Sequence, residues 1–160
     1  MVITPETPVV LAGFGDRHQP ATEVHDDLEV RTLYLAAPDG GAAVCLVVCD
    51  LLGMSASFAV PIRRSVAADL GLPMSAVLTA STHTHSGPSC IAGSEAVGWP
   101  PPPGYAEVLV AGCRAAASEA RRAAVPASLA YRRARLPDGR REGIGELRGV
   151  ELHRARDRCG

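Results

Sequence analysis

Two hydrophobic periods organise this chain. Pro8 to Ala12 is apolar and runs into Gly13-Phe14-Gly15, which reads as a short strand ending where glycine permits positive φ or a close approach of backbone. Asp16 to Thr22 is a polar loop holding His18 and Pro20. Leu28 to Ala36 opens by alternating (Leu28, Val30, Thr32 and Tyr34 against Glu29, Arg31 and Leu33) and then turns apolar throughout. Pro38-Asp39-Gly40-Gly41 is a hairpin signal. Ala43 to Cys49 is an unbroken apolar run, the pattern of a central strand covered on both faces. Ala56 to Leu70 switches to helical spacing through Phe58, Ile62, Val66 and Leu70, with Gly71 and Pro73 as the stop. Ser75 to Ser81 reads as a further buried strand, and Ser89 to Gly104 as a Gly-, Ser- and Pro-rich loop placed to wall or cover a site. Tyr105 to Ala124 is the clearest helix: Leu109, Cys113, Ala116 and Ala120 share one face, and Arg114, Ser118 and Arg121 lie opposite. Gly112 weakens it slightly, Pro126 stops it, and Ser128 to Leu136 predicts one more strand.

These elements imply a topology. The tight turn after Ala36 makes an antiparallel pair, whereas strand, helix and strand from Ala43 to Ser81 make a right-handed crossover and a parallel pair. The expected fold class is therefore α/β, a mixed sheet with helices packed on it. Parallel neighbours end on one edge, so Asp50 and His85 are expected near each other, where Asp50 either joins a site or caps the helix that follows.

That edge carries the most distinctive peptide, Thr82-His83-Thr84-His85-Ser86-Gly87-Pro88. Alternate strand residues point to one side, so His83 and His85 are expected to project together, and Gly87-Pro88 leaves them at the lip of the sheet. Two imidazoles on one side suit a divalent metal. The plainer reading is one histidine closing the strand end and one hydrogen-bonded to backbone. Ser86 lies in no Gly-x-Ser-x-Gly elbow, and the chain has neither lysine nor a phosphate-binding glycine loop.

The heptapeptide resembles the signature of the neutral (alkaline, non-lysosomal) ceramidase family, zinc-dependent amidases that cleave the N-acyl bond of ceramide. Leu11-Ala12-Gly13-Phe14-Gly15 resembles that family's early glycine turn, His25 to Leu33 its His-x-x-Leu-x-x-Arg-Ala segment, and Val47 to Gly53 its strand ending in Asp-Leu-Gly. The likeness runs in order from about Pro5 to Tyr131. It implies that residues 1–136 are the N-terminal portion of a ceramidase-like catalytic domain, an incomplete part of a larger one, and that 137–160 form a basic, poorly matched segment without fixed structure. It implies Zn2+ as cofactor, His83 as a metal ligand, His25 and His85 as catalytic or substrate-facing residues, and Gly13 as substrate-binding. The family's other ligands (a histidine, a glutamate and a tyrosine) and its serine come later in its chain and have no counterpart here. Either Arg140 or Arg141 matches its arginine contact. The implied substrate is a lipid or other N-acyl amide, hydrolysed by a zinc-activated water while His85 and His25 steady the oxyanion or that water. With one zinc ligand, the 160 residues alone are expected to be inactive unless a further domain or chain completes the site. The alternative is a non-catalytic remnant or binding module that keeps the fold. The metallo-β-lactamase pattern is a poorer match, because Gly87 and Pro88 stand where it has Asp-His.

Composition narrows the classes. A 160-residue chain of 47% hydrophobic residues and net charge −1 suits one globular domain rather than a disordered or nucleic-acid-coating chain. Residues 131–160 hold nine arginines against five acids, and this reads as a solvated basic end, since aromatic residues for base stacking are scarce there. Five cysteines without Cys-x-x-Cys spacing indicate neither a disulfide framework nor a zinc knuckle, and Cys45 and Cys49 read as small core residues. Met1 to Val10 has no leader pattern and no apolar run reaches membrane-spanning length, so the chain as written is expected to be cytoplasmic, although members of the resembled family are often secreted or membrane-associated.

Overall fold

The computed structural model describes residues 1–135 and 146–154, with side chains through residue 131. These fall into two compact units divided between Ala124 and Val125.

In the first unit the hairpin signal at 38–41 joins Val30–Ala36 (β3) to Ala43–Cys49 (β4) as an antiparallel pair, with Val30 opposite Cys49. Val77–Ser81 (β5) runs parallel to β4, with Cys45 opposite Val77 and Cys49 opposite Ser81. The sheet order is β3-β4-β5, a mixed sheet as the sequence predicts. Two elements precede it: Val9–Val10 (β1) pairs antiparallel with Pro20–Ala21 (β2), so the polar loop after Gly15 returns as a strand that its composition did not announce. Between β4 and β5 lies Ala56–Leu70 (α1), over the predicted residues. It ends because Gly71 adopts φ 66°, a left-handed geometry cheap only for glycine, and Leu72 N–H then closes on the Ala67 carbonyl at 2.9 Å. Ser55, not Asp50, occupies the N-cap position of α1. Tyr105–Arg122 (α2) completes the unit.

Both helices lie on one face of the sheet. Cys45, Val47 and Cys49 of β4 point into a core with Val30, Val77, Ile62, Val66 and Leu70, and with Leu109, Cys113 and Ala117 of α2. Full burial of such side chains stabilises by roughly 1.5–3 kcal/mol each. The N-terminus closes the other side of α2: Ile3 is buried, and its carbonyl accepts from Tyr105 Oη at 2.7 Å. The expectation of cover on both faces of β4 is corrected. Val44 is 42% exposed, Leu78 of β5 is 52% exposed, and Leu46 and Val48 are half-buried, because no element of this unit packs on that side. β5 is moreover an edge strand, half-exposed, rather than a buried one.

The second unit is a ribbon. Ala127–Arg135 (β6) lies close to the predicted strand and pairs antiparallel with Glu146–Arg154 (β7), Arg135 opposite Glu146 and Ala127 opposite Arg154. The sequence pattern predicts no element over the latter stretch. Arg140 and Arg141 lie outside the described residues.

Candidate functional site

The segment after β5 is built by three backbone devices. Thr82 N–H still reaches the Cys49 carbonyl at 3.0 Å, which holds the chain beside β4 for one residue beyond the strand. His83 then takes φ 63°, the one positive φ among described non-glycine residues. A left-handed L-residue costs about 1–2 kcal/mol, so something must hold it there. Its Nδ1 is 2.7 Å from the Leu52 carbonyl. A carbonyl can only accept, so Nδ1 carries the hydrogen, and the Nε2 lone pair of the neutral ring is left free. Finally Gly87 is buried where a Cβ would stand 3.1 Å from Leu28 and 3.3 Å from the Asp50 carbonyl, and its own carbonyl accepts from Ala12 N–H at 2.9 Å.

His83 and His85 do come together, though not by strand alternation, since β5 ends at Ser81. Their ring centroids are 5.3 Å apart, edge to face. Gly13 explains the position of His85: at φ 108° it packs so closely that an added Cβ would lie 2.4 Å from the His85 Cγ. The Nδ1 of His85 is buried there without a hydrogen-bond partner. Phe14 presents an edge contact to the same ring, centroids 4.8 Å apart. Two residues that the sequence did not single out finish the setting. Arg17 donates to the His85 carbonyl at 2.7 Å and lies 4.8 Å above the Phe14 ring, while the Trp99 indole N–H reaches the Arg17 carbonyl at 3.3 Å. Only separations of 68 and 82 residues connect them, and no local pattern encodes such contacts.

His25 lies elsewhere. It lines a cavity of about 500 Å³ with Asp26, Leu28, Asp50, Thr84 and Ser86, within the size range of small-molecule sites. Gly13, His83 and His85 are not among the cavity walls. Thr84 and Ser86 therefore line the cavity with His25, while the two neighbouring imidazoles do not. His25 is almost wholly exposed and pairs with Asp26 at 2.6 Å. Asp50 turns to the cavity side, accepting from Glu29 N–H at 3.1 Å and Arg31 Nη1 at 3.0 Å, and so does not join His85.

A ligating histidine ordinarily gives its other ring N–H to a carbonyl or carboxylate, and His83 does so. A structural or catalytic site, however, takes three or four protein donors, and the described residues contain no group of three histidine, cysteine or acidic side chains able to hold a metal. His83 suits zinc as one ligand; the described set does not make a site. The buried thiols do not alter this. Cys49 and Cys113 touch at 3.7 Å, the bond from Cys113 to Cys49 holds the Cys113 proton and raises its pKa, and burial pushes Cys90 up to about 12. They are core residues.

No protein-family model matches the sequence, and no curated protein matches it. Among solved structures, neutral ceramidase from Pseudomonas aeruginosa matches 86% of this chain with a TM-score of 0.73 at 22% identity. The fold is ceramidase-like. This chain spans 23% of that ceramidase's length. Within this fold Gly13, His83 and His85 come together, and His25 lines the cavity with Thr84 and Ser86. No helix among the described residues is long and apolar enough to cross a membrane.

Proposed function

We propose that this chain carries one part of the site of a zinc-dependent amide hydrolase of neutral-ceramidase type, acting on an N-acyl sphingoid or related N-acyl amide. The observation that supports this most is His83: a residue held in a costly backbone conformation, with one ring nitrogen fixed by a carbonyl and the other free, beside a second imidazole in a ceramidase-like fold. Strain of this kind gathers at functional positions.

In this reading His83 contributes one ligand through Nε2, and the remaining donors come from polypeptide outside the described residues. Zinc, when bound, would activate water and polarise the amide carbonyl. Gly13 serves by leaving room for the His85 ring, which is positioned to donate a hydrogen bond to charge developing beside His83. His25 is assigned to ligand contact in the cavity, which Thr84 and Ser86 also line. Alone, the 160 residues hold zinc weakly and do not turn over substrate. The competing reading is a module that keeps the fold without a complete site; among the described residues no group of three donors comes together.

Zinc titration of the purified chain against His83→Ala, with hydrolysis of an N-acyl sphingoid substrate in parallel, tests this. Weak binding that the substitution abolishes is the expected result. No zinc in either protein would favour the non-catalytic module, and zinc-dependent hydrolysis by the isolated chain would overturn the need for completion.

A further inference from the structure

The loop 13–17, the turn at His85 and the loop around Trp99 are far apart in sequence and share one residue. Arg17 N–H bonds the Phe14 carbonyl at 3.0 Å, which folds the loop into a tight turn and carries the guanidinium back over the Phe14 ring. From there Nη1 reaches the His85 carbonyl at 2.7 Å, a charge-assisted bond to a backbone atom. The Arg17 carbonyl in turn accepts the Trp99 indole. His85 is consequently bounded by Gly13 and Phe14 on its ring and by Arg17 on its backbone, while its buried Nδ1 has no polar partner to fix the ring. Its orientation beside His83 must come from packing and from where its backbone is held.

We propose that Arg17 is the positioning residue for His85: by clamping the His85 carbonyl and stacking on Phe14, it keeps the His85 imidazole at the spacing from His83 seen here. Its importance for hydrolysis rests on the function proposed above; the positioning itself does not. Removing the guanidinium leaves the Phe14 ring without its cationic cover and the His85 carbonyl without its Arg17 donor, while the bonds at Thr82, His83 and Gly87 hold the rest of the segment. Lysine can keep a cation over Phe14 and a donor toward the carbonyl, although it lacks the planar fork.

The experiment uses the full chain with isotopically labelled histidine and phenylalanine. In wild type, nuclear Overhauser cross-peaks are expected between the rings of His83 and His85 and between those of Phe14 and His85. Arg17→Met is expected to lose both and to red-shift the emission of the single tryptophan, Trp99, with far-ultraviolet circular dichroism unchanged; Arg17→Lys restores at least the Phe14 cross-peak. Retention of both cross-peaks in Arg17→Met overturns the assignment. Should that variant fail to fold, Arg17→Gln is read in the same way: weakened His83–His85 contact supports the proposal, and an unchanged one overturns it. Because none of these signals requires zinc or turnover, failure of the hydrolase reading leaves the test intact.

Discussion

At the scale of single residues, the unusual backbone lies at His83 and Gly13, and each yields a comparison with a definite sign. Replacing His83 with alanine or glycine removes the same hydrogen bond to the Leu52 carbonyl, but only alanine still suffers the left-handed backbone. His83→Gly should therefore be more stable than His83→Ala by about 1 kcal/mol in denaturant titration, the reverse of the usual penalty for glycine. On the zinc-ligand role proposed for His83, both should lose zinc equally. Gly13→Ala meets φ 108° and the His85 ring together, and should cost roughly 1–3 kcal/mol while displacing the His85 ring resonances. The peptide 82–88 was legible because its residue types are rare in combination. The reason His83 and His85 meet was not: alternation along a strand suggested it, whereas a left-handed turn past the strand end produces it.

Elements were legible where a period persisted. α1 has the predicted residues because its apolar spacing and its Gly71 stop agree, and α2 differs from expectation only at its end. β2 was hidden because two residues in a polar loop carry no period, and β7 because arginines and acids interrupt its apolar positions. Gly112 of α2 read as a weak point in the sequence; in the fold it is a contact, since an added Cβ would stand 2.9 Å from Ile3 Cγ2. Gly112→Ala gains about 1 kcal/mol of helix propensity and loses about 1–3 kcal/mol to crowding against a branched, buried side chain, so thermal melting should show net destabilisation. The two helices are also tied by Arg114, whose Nε and Nη2 grip Asp69 at 2.6 and 2.9 Å. That grip holds the Asp69 carboxyl below its ordinary pKa, so its contribution exists above the unfolded carboxylate value and vanishes as pH falls through the lower folded one. Asp69→Asn should lower the melting temperature by a few degrees at most at neutral pH, with the gap from wild type closing below about pH 4.

For the whole molecule, the tight turn after Ala36 and the strand–helix–strand crossover predict a mixed α/β sheet with β4 at its centre. The apolar run of Ala43 to Cys49 suggested cover on both faces, wrongly, because a strand buried on both sides and one covered on a single side share the same apolar alphabet. Leu33, Val44 and Leu78 are consequently exposed on adjacent strands of one surface, and contiguous apolar patches of that kind bind apolar probes. The native chain should enhance the fluorescence of an anilinonaphthalene dye, and Val44→Glu with Leu78→Glu should reduce that signal with little change in melting temperature. In contrast, Val47→Ala on the covered face should cost about 1–3 kcal/mol, within the range for trimming buried aliphatic side chains. Unchanged dye binding in the double variant would locate the signal away from this face.

The group that steers His83 belongs to the main chain of Leu52. Every amino acid brings an identical oxygen to that spot, so a mutational scan of residues 50–53 would return a flat profile at 52 for ring steering and credit the histidine alone. Only backbone chemistry, such as swapping the peptide link after Leu52 for an ester and so weakening its oxygen as an acceptor, would expose the second half of the device.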